Sequence, residues 1–567
     1  MQSKILTVGD DINTDDIIPA DRTTNPDPEH QKHFVLEHLI GIDTLLGYDV
    51  IEAGKNFGCG SSREYAALAI KAAGIKTVRA RSFAEIFYRN SINIGLNLEI
   101  IDSQQTNPIV QAIAKANGLT PFNQQRLLGK IAIPQSTTSA RPMTMAEKLL
   151  AQASGNEYVQ PGEVVFAKVD LAMSHDAIAA PVFNLFHQHF GKDAQVWDAT
   201  KLVLVADHFI QVNDIRVDPQ ATKLYEQMVT FAKRHGCQLF DLVSPGEAAG
   251  ICHVLLPESG LIQPGMIIAG TDSHSCTYGA FGSFSTGVGT TDMANILATG
   301  DMWIKVPATL VFELSGQLPS DISAKDIMLF ILGQIGCQGA MGKVMEFRGS
   351  VIKSLSIDER MTLSNMAVEC GAVCGLIAPD AITQDYLKDR VQSEFSSVTG
   401  DAEAEYEHIY RFDLTNLEPQ VACPPKPDRV KNISELDDIP ITRAFVGSCT
   451  GGKLTDLAVA ASVLRDRYIN PKVQMHVVPA SQAVLNQAQQ LGYLDIFERA
   501  GVQILKSGCG ACINSGRGVL GKEETGIYAT NRNFTGRSGD PSAKNYLASP
   551  RVVAISAIEG RITDRLS

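Results

Sequence analysis

Cys509 and Cys512, in SGCGACINSG, are the one pair of thiols in the sequence with C-x-x-C spacing. C-x-x-C spacing brings two sulfurs to a shared metal centre, and the flanking glycines let the backbone approach it. The pair alone is ambiguous. Zinc wants a fourth ligand, and a thioredoxin-like redox pair wants a different strand–helix setting. A further cysteine in a matching glycine-rich turn, Cys449 in GSCTGG, raises the count to three. Three thiolates on a four-iron cluster leave one iron without a protein ligand, free to polarise a substrate hydroxyl. A structural zinc site or buried, inert cysteines fit the same spacing, so spacing does not choose. The other eight cysteines, Cys59, Cys237, Cys252, Cys276, Cys337, Cys370, Cys374 and Cys423, read as packing residues.

Acids stand beside two histidines: Asp207 before His208 in VADHFI, and Asp272 close to His274 in GTDSH. An acidic partner fixes an imidazole's tautomer and raises its pKa, as proton donation requires. Ser61 and Ser62, followed by Arg63 in GSSRE, stand where a helix opens. N-capping is the ordinary role of such serines. A serine base is the chemical alternative, since helix N–H groups and a guanidinium stabilise an alkoxide. Arg532 and Arg537, in NRNFTGR, are guanidinium forks of the kind that grip carboxylates. Lone residues such as His253, Asp15 and Glu346 read as structural or surface groups on type alone.

These side chains need strands and helices to hold them. KILTVG, TVRARS and LNLEIID predict short strands, and EYAALAIKAAG, SFAEIFYRNSI and NPIVQAIAKANG predict helices stopped by glycine or turn residues. That alternation predicts an α/β layer over residues 1–133. A Ser/Thr-rich stretch with two prolines makes 134–142 a linker, and 143–567 a larger α/β region. There, KLVLVADH, GMIIAGTDSH, ITRAFVGSCTGG and GVQILKSGCG are apolar runs ending in polar or glycine-rich turns. Ligands gather at such carboxyl ends of strands. An acidic, then proline-rich break at 395–440 suggests a boundary inside the larger region.

At 567 residues the chain exceeds a single core, and about three to five domains are expected. The formal net charge of −13 argues against nucleic acid and anionic membrane as partners. An anionic substrate would then depend on particular arginines. No stretch nears the roughly 18 apolar residues of a membrane span. MQSKILTVGDDINTDD lacks the layout of a signal peptide, so a cytoplasmic location is expected. Eleven cysteines, an odd and sparse set, do not form a disulfide framework.

GSCTGG, SGCGAC and NRNFTGRSGDPSAKNYLASP, with VADHFI, GTDSHSCTYGAFGSFSTGVGTTDMA and KVMEFRG upstream, resemble the large subunit of 3-isopropylmalate isomerase and its aconitase relatives. GDDINTDDIIPA and NFGCGSSREYAALAI resemble that family's small, swivelling subunit. The resemblance implies a small-part-first fusion, with 1–133 a swivel domain and 143–567 a three-subdomain cluster-binding region needing no separate small subunit. It implies one [4Fe-4S] cluster on Cys449, Cys509 and Cys512, with one iron lacking a protein ligand. Ser61 then matches the base and His208, beside Asp207, the acid. His253, Asp272, His274, Glu346 and Asp15 match catalytic positions. Arg63, Ser62, Arg532, Arg537, Ser273 and His175 match substrate positions, and Asn531 the cluster environment. Thr24 falls at the substrate-selecting position in an ungapped comparison, with Arg22 available if the alignment shifts.

Thr24 brings no fixed cation for a third carboxylate, which points to a 2-substituted malate, 3-isopropylmalate first, as in leucine biosynthesis. Benzylmalate, dimethylmalate and the tricarboxylates of homoaconitase and aconitase are the alternatives. In another class altogether, some cluster-free aconitases bind RNA, a role that the acidic charge opposes.

Overall fold

The protein is described here from a computed structural model, which covers residues 4–18, 27–59, 64–101, 107–134, 136–209, 219–241, 249–391, 395, 397–514 and 516–567. Arg22, Thr24, Ser61, Ser62 and Arg63 lie outside the described residues. Of Asp15 only the backbone is described, in the short helix Thr14–Ile17.

The first part holds a four-stranded parallel sheet in chain order: β1 (Ile5–Thr7), β2 (Val50–Ala53), β3 (Thr77–Ala80) and β4 (Asn97–Ile100). Three of these strands coincide with the predicted runs. The exception is β2, where GYDVIEAG mixes acids with apolar residues, yet Val50, Ile51 and Ala53 are buried. Helix α1 (Glu64–Ala72) lays Ala66, Ala67, Ala69 and Ile70 into the core. Such small, good helix formers let it pack close to the sheet. Helix α2 (Glu85–Asn93) follows β3, and the helices Pro108–Lys115 and Leu119–Leu127 complete the part.

In the larger region, helix Met145–Ser154 opens with a capping box of Thr144 and Glu147. A five-stranded parallel sheet follows: β5 (Leu171–His175), β6 (Leu202–Val205), β7 (Gln238–Phe240), β8 (Ile267–Gly270) and β9 (Phe284–Gly287), ordered β9-β8-β5-β6-β7. Helix α3 (Thr290–Thr299) leaves β9. The next sheet is four parallel strands, β10 (Thr309–Ser315), β11 (Val344–Arg348), β12 (Cys374–Ile377) and β13 (His408–Asp413), ordered β12-β11-β10-β13. Helices α4 (Ala324–Ile335) and α5 (Ile357–Met366) belong to it.

The last sheet has seven strands: β14 (Gln420–Ala422), β15 (Val430–Asn432), β16 (Arg443–Val446), β17 (Gln474–Val477), β18 (Gln503–Ile504), β19 (Thr525–Tyr528) and β20 (Lys544–Leu547). Their order is β15-β14-β20-β19-β16-β17-β18. The chain crosses between these two sheets from Asp413 to Gln420, inside the predicted break. Several apolar cores bury a chain of this length, and they interlock: one takes in Val344 and Leu376 beside the five-stranded sheet, and another runs from Phe312 and Phe347 to Phe445 and Tyr528 of the last sheet.

A buried polar seam joins the first part to α3. Arg89 donates from Nε and Nη2 to Asp292 at 2.7 and 3.0 Å. Asn123 donates to Asn295 at 2.9 Å, Asn295 to Thr120 at 2.9 Å, and Trp303 to Asn93 at 2.8 Å. Arg126 pairs with Asp301 at 2.6 Å. Helix α3 has no side-chain cap of its own, since Gly289 is its N-cap. Glu64 of α1 supplies one across the seam, accepting from the Thr291 N–H at 2.8 Å and from its hydroxyl. A Cβ at residue 289 would sit 2.3 Å from Asn90 Oδ1 and 2.9 Å from Glu64 Oε2, so this approach needs glycine.

The described residues of 134–142 carry no helix or strand, as a linker requires, but they are tied down. Ser136 donates its N–H to Asn156 Oδ1 at 3.2 Å, the Thr138 hydroxyl donates to Glu163, and Arg141 donates to Val159 O at 3.1 Å.

Candidate active site

Three adjacent parallel strands deliver the predicted acids and histidines from their carboxyl ends. His175 closes β5, Asp207 and His208 follow β6, and Asp272, Ser273 and His274 follow β8. His253 comes from the helix Cys252–Glu258. Asp272 is the hub. Its Oδ1 lies 2.8 Å from His253 Nε2 and takes the His274 N–H at 2.7 Å, while Oδ2 lies 3.3 Å from His208 Nε2. His208 Nδ1 is 2.6 Å from Asp207 Oδ1, so the imidazole is held at both nitrogens. Asp176 fixes this turn by accepting from the N–H groups of His208 and Phe209 at 2.8 and 2.6 Å.

The electrostatics follow from these contacts. Burial acts to raise Asp272, yet the His253 charge and hydrogen bonds from three histidines hold it well below the usual carboxylate range. Burial acts to lower His208; charge on Cys509, then Asp207 and its hydrogen bond, carry it well above its ordinary value. His175, stacked on His208 with ring centroids 3.8 Å apart, is pushed down to about 3 by burial and by the His208 charge.

On the facing side, Arg532 follows β19 and donates from Nε to both oxygens of Glu369 at 2.8 and 3.0 Å and from Nη2 to Ser273 at 3.1 Å. Glu369 also bonds His274 Nε2 at 2.8 Å. Despite burial, Arg532 and His274 pull the Glu369 carboxyl down to about 2.

Glu346 is not brought to this cradle by any described contact. It lies within β11, where burial pushes it up to about 7 against the nearby Arg348. Glu369 stands beside His274; its signal was a lone carboxylate in the apolar run NMAVECGAV. Asp176, next to His175, was equally missed. Arg537 makes no side-chain contact with the cradle among the described residues, and its buried Nε has no partner there.

The cysteines stand on turns after two strands of the last sheet that flank β17: Cys449 after β16, and Cys509 and Cys512 around a single 3-10 turn beyond β18. All are buried and none is in a disulfide. Ser448 adopts φ +72°, a left-handed conformation that non-glycine residues rarely take. Its Oγ reaches Cys449 Sγ at 3.6 Å, Cys512 Sγ at 3.7 Å and Asn531 Oδ1 at 2.7 Å. The Asn365 and Asn531 amides donate to Cys449 Sγ at 3.2 and 3.5 Å. Burial raises the Cys449 and Cys509 thiols. Sulfurs given amide donors and kept from water suit a bound cluster, whose thiolates need such donors. Cys509 also joins the two sets of residues, with its Sγ 3.9 Å from His208 Nδ1 and its N–H on Asp207 O at 3.2 Å.

Known proteins share long segments with this chain. The profile of the aconitase family (aconitate hydratase) matches residues 147–438 and 429–560, and that of the aconitase C-terminal domain matches residues 43–101. A probable methanogen homoaconitase large subunit of Methanothermobacter thermautotrophicus is 43% identical over 424 residues, spanning 74% of this chain and 97% of that protein. The 3-isopropylmalate dehydratase large subunit of a Hydrogenobaculum species is 43% identical over 419 residues, 74% of this chain and 96% of its own. A crystal structure of 3-isopropylmalate dehydratase from Methanocaldococcus jannaschii matches 23% of this chain and 95% of its own at 31% identity, with a TM-score of 0.20. Among the described residues, no helix is long and apolar enough to cross a membrane. The family implies an iron–sulfur cluster and small carboxylate substrates. With its cradle built from the matched segments, and the segment matching the C-terminal domain placed first, the chain belongs to the aconitase family and is a hydro-lyase of that family.

Proposed function

We propose that the chain moves a hydroxyl between adjacent carbons of a 2-substituted malate, by dehydration and rehydration, with 3-isopropylmalate as substrate. Cys449, Cys509 and Cys512 hold a [4Fe-4S] cluster with one iron lacking a protein ligand. The observation that carries this reading is the 3.9 Å contact of Cys509 Sγ with His208 Nδ1, where the thiol turns meet the histidine–carboxylate cradle. When bound, such an iron supplies Lewis acidity toward the substrate hydroxyl.

The chain's own residues do the rest. His208, held between Asp207 and Asp272, keeps a proton for a departing hydroxide. Asp272 sets the positions of His253 and His274 around it. Arg532, oriented by Glu369 and Ser273, grips a substrate carboxylate together with Arg537 and Arg63. Glu346 remains an acidic site position, and Glu369, bonded to His274 and Arg532, is added to the set. Ser61, supported by Ser62 and Arg63, is the base from the swivel domain at 1–133, and Asp15 lies in the same domain. With 134–142 as linker and 143–567 as cluster-binding region, no separate small subunit is needed; the seam on α3 is already closed within one chain.

Relatives of equal identity are described as homoaconitase and as isopropylmalate dehydratase large subunits, so likeness does not choose the substrate. Thr24 does. A third carboxylate buried beside a neutral side chain is strongly unfavourable. The test is anaerobic loading with iron and sulfide, then ultraviolet detection of the unsaturated acid formed from isopropylmalate, benzylmalate, dimethylmalate, homocitrate and citrate. Turnover of one neutral-substituent malate is expected. Turnover of the tricarboxylates alone would keep the reaction and make Arg22 the selector.

A further inference from the structure

Behind the Cys449 turn lie two buried lysines with different surroundings. Lys453 is 1% exposed and is matched: its Nζ meets Asp456 at 2.9 Å, and also donates to Thr362 Oγ1 at 2.9 Å and Cys449 O at 3.1 Å. Lys325 is 2% exposed and meets only neutral acceptors. Its Nζ donates to Thr450 Oγ1 at 3.2 Å, to Ala529 O at 3.4 Å and to Thr530 O. No carboxylate of the described residues stands within ion-pair distance of it.

Lys325 is also the second residue of α4, where the helix dipole disfavours a cation. A buried ammonium with no counter-charge is costly. Burial pulls it down to about 8, and the first charge acting to hold it up is that of Cys449, with Cys512 next among the attractive ones. Thr450 and Thr530 adjoin Cys449 and Asn531, so the ammonium is one residue removed from the atoms that touch the sulfurs. Three thiolates outweigh the positive charge of an oxidised four-iron core, leaving a net anion. That is a counter-charge that no carboxylate of the described residues supplies at ion-pair distance, Asp456 acting only from farther away.

We propose that Lys325 is the charge partner of the cluster, a positioning residue whose buried ammonium compensates the net negative charge at Cys449 and Cys512 and so sets the cluster's potential and retention. The inference rests on the cluster reading above and goes beyond it. Its signature is a crossed effect: the cation is a burden in the cluster-free protein and an asset in the loaded one.

The test uses Lys325→Met, with Lys325→Gln to keep donors without charge and to serve if the first variant does not fold, and Lys453→Met as comparator. Thermal melting is measured with and without cluster, reduction potential by spectroscopic titration, and cluster loss to a chelator by visible absorbance. Both Lys325 variants are expected to melt no lower than wild type when cluster-free, to have a more negative potential, and to lose the cluster on the order of tenfold faster. Lys453→Met is expected to lower melting of both forms alike, because it leaves Asp456 unpaired. An unchanged potential and loss rate, or equal destabilisation of both forms by Lys325→Met and Lys325→Gln, overturns the proposal. Wild-type protein that takes up no cluster overturns the cluster reading itself, a separate and visible outcome.

Discussion

Two buried polar regions of this molecule are built on opposite plans. Along the seam, Arg89 is spent on Asp292, Arg126 on Asp301, and Glu64 on the first turn of α3. In the cradle, Asp272 is shared by three histidines and Glu369 by His274 and Arg532, while His175 Nδ1 and His253 Nδ1 have no partner among the described residues. One-to-one pairing uses up hydrogen-bonding capacity and fixes a docking register. Sharing keeps protons and charges poised between partners, which is what a reacting group requires. Burial is similar in the two places; the stoichiometry of partners differs.

That contrast can be broken from the cradle side first. Replacing Cys512 by Ser is expected to abolish the cluster's visible absorbance and all turnover, while the seam holds and melting of the cluster-free protein is little changed. Asp272→Asn keeps the shape of the hub and removes the charge that three histidines share. Turnover is expected to fall by about 10²–10⁴-fold, the usual worth of a general acid, with absorbance retained. Ser61→Ala should likewise leave absorbance intact and remove turnover; loss of the cluster there would make the serine structural.

The seam should respond in stability. Arg89→Met leaves Asp292 buried without its partner and is expected to cost about 3–5 kcal/mol in denaturant unfolding. The double variant with Asp292→Leu is expected to recover most of it, because the loss comes from a stranded charge. The smallest effect concerns pH. Burial pushes Glu64 up to about 7 from 4.5 in spite of its bonds to Thr291, with Asp292 adding to the rise. A raised carboxyl favours the fold below the unfolded value and loses that contribution as pH climbs through the folded one. Between about pH 4.5 and 7 the wild type is therefore expected to lose stability relative to Glu64→Gln, read as a shallower pH slope of melting in the variant.

What was legible in the sequence was local. Cys449, Cys509 and Cys512 stand in turns whose glycines announce them, and Asp207 and Asp272 precede their histidines within a few residues, as the contacts confirm. The apolar runs before these turns are strands, as their patterning implied. Glu369 was hidden because it meets His274 across 95 residues of chain, from a segment with no polar neighbours to mark it. Glu346 sits in a strand whose register only the sheet reveals. Lys325 reads in sequence as an ordinary solvated residue at a helix start; its burial comes from strands that arrive about two hundred positions later. The strand β2 was lost to its acids. Ser61 and Thr24, on which base and substrate choice rest, fall outside the described residues.

The fastened linker has a consequence for assembly. Two separate chains meet at a rate and to an extent set by how much of each is present, and dilution pulls them apart. Here Ser136, Thr138 and Arg141 pin the connecting segment to the larger region, so the first part is delivered beside α3 at an effective concentration of the order of millimolar or above. Turnover per molecule should then be independent of protein concentration far below the point where a two-chain relative would fall silent.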